Sequence, residues 1–589
     1  MSRRATLIVS FLAVVALACA PLLFSSFTIS LFNYIGIYAL VAIGLALLTG
    51  VAGIVSFGQA AFVGVAAYAT AWLSALNGYS PWLGLLLAII LTCAVAAALG
   101  AATLRLEGHF LSLSTLAWGL AIGFLFGNVE GLGNFSGISN IPPIRIGGHA
   151  LMKSEEIYYL VLLMVVLSLV AMYNLLDSRW GRALRALRGG NVLVESLGVN
   201  AFQTKLAAFV IAAFLAALSG WLYAHMSRFV SPASFDAAMG IEYLMMAMVG
   251  GQGSLIGGVV GASIITFLKN AIQDYLPLIS PNAAGQLEVV AFAAIFIVFL
   301  QYARRGVVPF IAARLPNARP TAPAPAAALD LRAQPATGAP LLKVDQAMRR
   351  FGGLIAVNAV SFDVRAGEIV GLIGPNGAGK STMFNLLTGA LQLDGGEIEF
   401  SGLPISRAPQ RAIARAGIAR TFQHVKLRPR MSVLDNVLLG AHGRLQSGIV
   451  RGMLRLERAE EARARAEAMR QLERTGLAEH AFDVAGSLPL GKQRLVEIAR
   501  ALAADPTLLV LDEPAAGLRR NEKMELATLL RELRADRLTV LLVEHDMEFV
   551  MSLVDRIVVM DFGSKISEGL PAEVRADPRV QEAYLGGVA

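Results

Sequence analysis

A chain of 589 residues that is 56% apolar and 16% charged, with a mean hydropathy of +0.61, is too apolar for an ordinary water-soluble protein. Its formal charge of +8 comes without interleaved aromatic and basic residues, so it points away from nucleic acid and toward cations flanking membrane spans. The two cysteines, Cys19 and Cys93, both lie in apolar runs; they exclude a disulfide framework and read as small hydrophobes.

The first residues, MSRRATLIVSFLAVVALACAPLL, join a basic start to an apolar run ending near small residues. A cleaved signal peptide and an uncleaved first span both fit, and the crossing count below works with the span. Apolar segments follow near residues 29–50, 54–76, 82–104, 110–127, 157–176, 204–226 and 284–302, each approaching the ~20 residues that cross a bilayer. Arg3 and Arg4, Arg105, the set Arg179, Arg182, Arg185 and Arg188, and Arg304 with Arg305 mark the cytoplasmic side under the positive-inside rule. Parity then requires residues 240–268 to cross an even number of times, with the GGQGSLIGG centre (250–258) breaking them into two short segments that cross or re-enter. The expectation is about ten spans, or eight with a re-entrant element.

Gly253, Gly257 and Gly261, four residues apart, read as helix-contact positions, with a part in substrate passage as the alternative. Glu107, His109, Glu242 and Lys269 stand near span ends, where ionisable groups either serve function or snorkel to the interface. Taken alone, the arginine-rich run 179–188 is a solvated loop. From residue 342 onward charges recur every few positions, and between the two bodies runs ARLPNARPTAPAPAAALDLRAQPATGAP, a Pro/Ala-rich semi-extended linker. The expected organisation is an all-α polytopic membrane domain over 1–310, a linker over 311–340 and an α/β domain over 341–589.

In the membrane half, GRALRALRGGNVLVESLGVNAFQTKLAAFVIAAFLAALSGWLYA (181–224) and SFGQAAFVGVAAYATAWL (56–73) resemble the permease subunits of branched-chain amino acid ABC importers, over most of 30–300. That resemblance implies a short coupling helix near 190–198, including Glu195 and Gly198, that docks in a groove of an ATPase.

The strongest chemical motif is IVGLIGPNGAGKST (369–382): an apolar strand, a glycine-rich loop, then MFNLLTGAL as a helix. Gly374, Asn376, Gly377, Gly379 and Thr382 shape or flank a phosphate cradle, Lys380 reaches the β- and γ-phosphates of ATP, and Ser381 offers a hydroxyl to Mg²⁺. TLLVLDEPAAGL (507–518) is a buried strand ending in two carboxylates, Asp512 placed to hold Mg²⁺ through water and Glu513 to act as general base. These two motifs define a P-loop nucleoside triphosphatase.

TFQHVKLRPRMSVLDNVLLG (421–440) and LTVLLVEHDMEFV (538–550) resemble the Q-loop and switch segments of ABC ATPases, which implies Gln423 as a metal and water sensor and His545 as a γ-phosphate contact. Phe351, in RRFGGLIAV, takes the position of the adenine-stacking aromatic. VEHDM, LDEPAAGL and SEGLPAEVRADPRVQEAYLG match the ATPase subunits of the same importers, from about 342 to 586. The run 451–476 is charged at helical spacing and reads as a helix with a solvated face, within the helical subdomain of such ATPases.

At the signature position the usual LSGGQ reads LPLGK: Leu488, Pro489 and Gly491, followed by Gln493. Proline has neither hydroxyl nor N–H to offer a phosphate. Arg519 departs at the D-loop, where an acidic or amide residue is usual. Since the family sandwiches ATP between one domain's P-loop and the other's signature, both departures face a partner. They point to an asymmetric heterodimer, with a homodimer of two modest sites as the rival.

The resemblance implies an ATP-driven importer subunit in a bacterial inner membrane, its ATPase cytoplasmic. It implies a second permease, a second ATPase and an extracytoplasmic solute-binding protein as partners, besides membrane lipid. Urea, amides or aromatic acids are alternative cargoes. A half-size exporter is the second reading, although the internal loop 177–203 is short for one, and a non-transporting ATP-switched sensor is the third.

Overall fold

The computed structural model describes residues 3–106, 108–279, 286–303, 305–314 and 326–585. Glu107, Arg304 and residues 315–325 of the Pro/Ala-rich run lie outside them. The chain divides into two units, Met1–Leu176 with Phe202–Arg319 and Asp177–Ala201 with Pro320–Ala589. The segment Asp177–Ala201, which in sequence joins two apolar helices, is thus part of the second unit.

The first unit is helical because a chain this apolar must satisfy its backbone internally. Among the described residues seven of its helices are long and apolar enough to cross a bilayer: Ser26–Ala52, Gln59–Leu76, Pro81–Thr103, His109–Asn128, Ser154–Asp177, Ala201–Ser227 and Leu255–Tyr275. Arg3–Ala18, Ala237–Gly250 and Gln286–Tyr302 are shorter apolar helices. The segment expected from residue 54 begins as a helix only at Gln59, because Gly53 ends the preceding π-helical turn in the left-handed region.

Residues 240–268 are indeed broken at their glycines. Ala237–Gly250 stops at Gly251 (φ 132°), and the helix Leu255–Ile279 begins after a short turn. The two helices then pack through Gly250, Gly257 and Gly261. A Cβ on Gly250 would lie 1.6 Å from the Gly257 carbonyl oxygen, and one on Gly261 1.8 Å from that of Met246. Close backbone approach accounts for these positions.

The second unit holds two sheets. Leu354–Arg365, Pro340–Phe351, Gly395–Phe400 and Leu403–Pro404 form an antiparallel one. In the other the order is Ser564–Gly569, Arg556–Asp561, Ile369–Ile373, Thr539–Val543, Leu508–Asp512, Ile418–Arg420, parallel except at the Ser564–Gly569 edge. Ile369–Ile373, Leu508–Asp512 and Thr539–Val543 are buried at every position, which is why they read as unbroken apolar runs. Being parallel neighbours, they deliver their C-terminal ends, and the residues that follow, to one edge of the sheet.

A helical layer packs Val433–Gly440, Arg458–Arg474 and Leu490–Ala503 around Val437, Ala464, Ala468, Leu472, Val496 and Ala499. The charged run expected to be solvated is here half buried: Glu461, Glu467 and Gln471 face inward. Glu467 is fully enclosed and accepts from Arg470 (2.9 Å) and Gln471 (2.7 Å), with Arg444 at 3.4 Å. A charge pattern along one helix cannot reveal partners supplied from elsewhere in the chain.

Beyond the undescribed residues, 326–336 run without regular structure but not freely. Arg332 donates to the carbonyls of Arg415 (2.9 Å) and Ala416, capping the helix Gln410–Ala416, and Asp330 pairs with Arg463 at 2.8 Å.

Gly261→Leu should overpack the glycine contact and destabilise the first unit by about 1–3 kcal/mol. The measurement is the denaturation temperature of the detergent-solubilised chain. Gly123→Ala, whose Cβ meets nothing within 4 Å, should leave it in place.

Candidate nucleotide site and docking segment

Ile369–Ile373 leads straight into the glycine loop, and the helix Lys380–Leu387 leaves it. The turn needs glycine: Gly379 sits at φ 94°, and a Cβ there would fall 2.2 Å from the Ala356 carbonyl oxygen. Lys380 is buried, with its ammonium donating to the carbonyls of Gly374 (2.7 Å) and Pro375 (2.8 Å) inside the loop. Burial holds its pKa below the usual lysine range, while Glu513 and Asp512 pull it back up. Asn376, Gly377 and Ser381 are exposed around it and Thr382 is half-buried, so the loop presents its polar edge outward.

Two strands over, Leu508–Asp512 ends in the carboxylate pair. Asp512 accepts nothing at Oδ1, which is buried without a hydrogen-bond partner, while its N–H donates to the Thr421 hydroxyl at 3.2 Å. Burial pushes its pKa up to about 6; Arg420 opposes the rise and Glu513 adds to it. Glu513 adopts φ 46°, strained for a side chain of its size. Its N–H donates to Val543, and its Oε2 accepts from Gln423 Nε2 at 3.1 Å and lies 3.7 Å from His545 Nδ1. The structure therefore gathers Glu513, Gln423 and His545 at the sheet edge that carries Asp512. Phe351 ends the strand Pro340–Phe351, 43% exposed, with the Arg349 guanidinium 5.0 Å from its ring centre. It is a surface aromatic, not a core one.

Several residues that hold this site were missed in the sequence. Glu544 is fully buried and accepts from the N–H groups of Ala515 (2.7 Å) and His545 (3.0 Å), tying the loop after Glu513 to the loop carrying His545. Arg494 donates to the carbonyls of Phe422 (2.7 Å) and Gln423 (2.5 Å). Arg420 stacks between Phe384 and Phe422, at 4.5 and 4.7 Å from their ring centres. The only sequence signal for Glu544 is an acid directly after a fully apolar strand.

At the signature, Leu488 is buried, Pro489 is exposed and caps the helix Leu490–Ala503, and Gln493 turns its amide back onto the Leu488 carbonyl at 2.7 Å. Gly491 is buried against Glu522: a Cβ there would lie 2.4 Å from its carboxylate. Glu522 in turn accepts from the N–H of Arg519 at 2.8 Å. Among the described residues no hydrogen bond joins 488–493 to the glycine loop 374–382.

In the segment Asp177–Ala201 the solvated-loop reading fails at Arg182, while Arg188 is exposed and Arg179 and Arg185 are half-buried. The helix Arg179–Ala186 buries Arg182 to 2% exposure, in a two-pronged pair with Glu461 at 2.8 and 2.9 Å. Trp180 Nε1 donates to the Ser447 carbonyl at 3.1 Å, and its ring meets His442 edge-on at 6.2 Å. The expected short helix spans Asn191–Ser196, with Glu195 3.5 Å from Arg411 and the Gly198 carbonyl accepting from Arg415 Nε at 3.0 Å. The reason the sequence hid this is that a guanidinium can be buried wherever a carboxylate meets it, and Glu461 lies far along the chain.

A glycine loop holding an ammonium at a helix start, beside a strand ending in two carboxylates, defines a P-loop ATPase. Comparison with known proteins narrows that class. The model of the branched-chain amino acid transport system permease component matches residues 27–300, that of ABC transporters 357–516, and that of the branched-chain amino acid ATP-binding cassette transporter 564–589. The high-affinity branched-chain amino acid transport ATP-binding protein LivG of Salmonella typhimurium (strain LT2) is 48% identical over 250 residues, 42% of this chain and 98% of that protein. BraF of Pseudomonas aeruginosa, named for the same transport, is 44% identical over the same shares. A nucleotide-free ATP-binding cassette of an ABC transporter, seen in a crystal, is 32% identical over 42% of this chain and 99% of that one, with a TM-score of 0.38. The chain belongs to the branched-chain amino acid ABC transporter family, with a permease component and an ATP-binding component in one polypeptide. It is a membrane protein whose ATPase binds ATP and couples hydrolysis to transport.

Arg182→Ala should strand the Glu461 carboxylate and weaken docking of the segment by about 3–5 kcal/mol, whereas the double replacement R182M/E461L should cost far less. Hydrogen exchange of the 177–201 amides reads the difference.

Docking should also be acid-sensitive. Burial, with Arg179, Arg182 and Arg415 adding to it, pushes the His442 pKa down to about 3, below its unfolded value near 6.5. The unfolded state therefore binds the proton more readily, so stability is complete above about pH 6.5 and declines toward pH 3. Denaturant midpoints across that window should flatten in His442→Gln.

Proposed function

We propose that this chain is one half of an importer for branched-chain amino acids in a bacterial inner membrane, with its ATPase half in the cytoplasm. A second permease subunit, a second ATPase subunit and an extracytoplasmic binding protein complete it. The observation that carries the reading is that the two components match the same transporter type separately, at residues 27–300 and again at 564–589.

Mg²⁺ fits the site: the Asp512 Oδ1 is a buried carboxylate oxygen without a partner, beside a second acid. Ser381, Asp512 and Gln423 would hold the ion, which supplies charge neutralisation on the β- and γ-phosphates. The chain's own groups do the rest. Lys380 turns from its loop carbonyls to the phosphates, and Asn376 and the glycines wrap them with N–H groups. Phe351 stacks on adenine. Glu513 takes a proton from the attacking water, with Gln423 and His545 orienting the carboxylate and the γ-phosphate. ATP-driven closure pulls on Asp177–Ala201 through the contacts of Arg182, Glu195 and Gly198.

Each P-loop is completed in trans by the signature of the other ATPase, and this chain's own P-loop takes a partner's better one. Pro489 caps its helix with no side-chain hydrogen bond, so a partner's P-loop facing it receives one contact fewer. The loss of one charge-assisted contact, about 1.5–3 kcal/mol, makes the two sites of a pair unequal.

ATP hydrolysis by the purified chain, over a range of concentrations and against Glu513→Gln, tests this. The expected result is turnover no higher than the control when alone, restored by a second ATPase subunit carrying an LSGGQ signature. Turnover that rises with self-association overturns the unequal pair. Pro489→Ser should raise self-supported turnover about tenfold or more.

A further inference from the structure

Two helices of the first unit bring opposite charges together beside an apolar cavity. Glu242 lies in the second turn of Ala237–Gly250 and Lys269 beyond the middle of Leu255–Ile279, and the ammonium donates to Glu242 Oε1 at 2.7 Å. Their side chains keep 22% and 49% exposure, so neither is closed off by packing. The pair is the divide between two cavities that share it.

On one side is a cavity of about 580 Å³, lined by Ile241, Met245, Met248, Phe292, Phe296 and Ile297. On the other is a smaller one of about 180 Å³, where Tyr34, Tyr38, Asn270 and Gln273 contribute polar groups. Thr266, on the same wall, has a buried hydroxyl oxygen with no hydrogen-bond partner among the described residues. Among the described residues lining it, the larger cavity has no ionisable group besides the pair itself.

An ion pair this open adds little to stability, and apolar residues of the same size would hold the two helices together as well. Ionisable groups at membrane depth mark ligand pathways for that reason. The arrangement here is also polarised, with two charges of opposite sign at one end of a space whose other walls are aliphatic, thioether and aromatic. A ligand complementary to it carries an ammonium and a carboxylate on one carbon, and an uncharged branched side chain.

We propose that Glu242 and Lys269 form a zwitterion-recognition subsite for the transported amino acid, with its ammonium on Glu242, its carboxylate on Lys269 and its aliphatic side chain in the Met/Phe-lined cavity. The inference rests on the amino-acid cargo proposed above. Binding exchanges the protein's own ion pair for two ligand ion pairs, so no charge is left without a partner at any stage. The methionines adapt to leucine, isoleucine or valine alike, since an unbranched thioether refills the space that each shape leaves. A charged side chain would have to shed its water against those walls and is rejected.

The test is equilibrium binding of radiolabelled L-leucine to the full chain in lipid nanodiscs, with isocaproate and isoamylamine as competitors, beside leucine uptake by cells carrying the chain and its partner subunits. Glu242→Gln and Lys269→Gln should each weaken leucine binding about tenfold or more, the loss expected of one charge-assisted contact. Isocaproate and isoamylamine, each lacking one charge, should compete poorly. The charge-swapped double variant E242K/K269E decides between recognition and scaffolding. Swapping reverses the ligand and drives its side chain out of the apolar cavity, so binding should stay lost; a purely structural pair would be restored. Elution of each variant in size-exclusion chromatography reports its folding. Leucine uptake with binding that ignores these variants, or that the swap restores, overturns the subsite and leaves the cargo reading standing. Neither binding nor uptake of leucine by the unaltered chain overturns the cargo reading and the subsite with it.

Discussion

A charge taken out of water must meet its opposite where it lands, and the Arg182 to Glu461 pair meets that condition for this chain. The guanidinium belongs to a segment that in sequence joins two apolar helices, and the carboxylate belongs to a helix of the ATPase. Around it Trp180, Arg411 and Arg415 add neutral and charged contacts to the same segment. Removing either partner would leave a buried charge alone, so the pair is strict in a way that the surrounding surface arginines are not. A two-pronged buried pair is therefore a connection that breaks only at high cost.

The nucleotide edge follows a different logic. Parallel, fully buried strands bring the glycine loop, the Asp512 and Glu513 carboxylates and the His545 loop to a single edge, so the site is assembled by sheet topology. Strain and tension are then held locally. Glu513 sits at positive φ because Val543, Gln423 and the Glu544-braced loop over-determine it. Arg494 ties the helix that begins at the signature to the backbone of Gln423, whose side chain meets the Glu513 carboxylate.

The membrane unit repeats the theme in a harsher solvent. Glycines let Ala237–Gly250 and Leu255–Ile279 come to backbone contact, and that closeness is what presents Glu242 to Lys269. The same break at Gly251–Ser254 that makes two helices out of one apolar stretch thus sets the only resolved acid–base contact between them among the described residues.

Much of this was legible in the amino acids alone. Local chemistry announces itself: the P-loop, the carboxylates ending a strand, the glycine break in 250–258 and the apolar spans are each written in a short window, because each depends on backbone geometry or on the solvent of neighbouring residues. The short helix carrying Glu195 needed the family resemblance, since one acid has no local signature. What only the tertiary structure decided was pairing. Arg182 looked solvated until Glu461 arrived from far along the chain, the run containing Glu467 looked exposed until Arg444 covered it, and Glu242 and Lys269 looked like separate span-end charges. Electrostatic partners are chosen by distance in space, and a linear pattern carries no information about which distant residue will be within 3 Å.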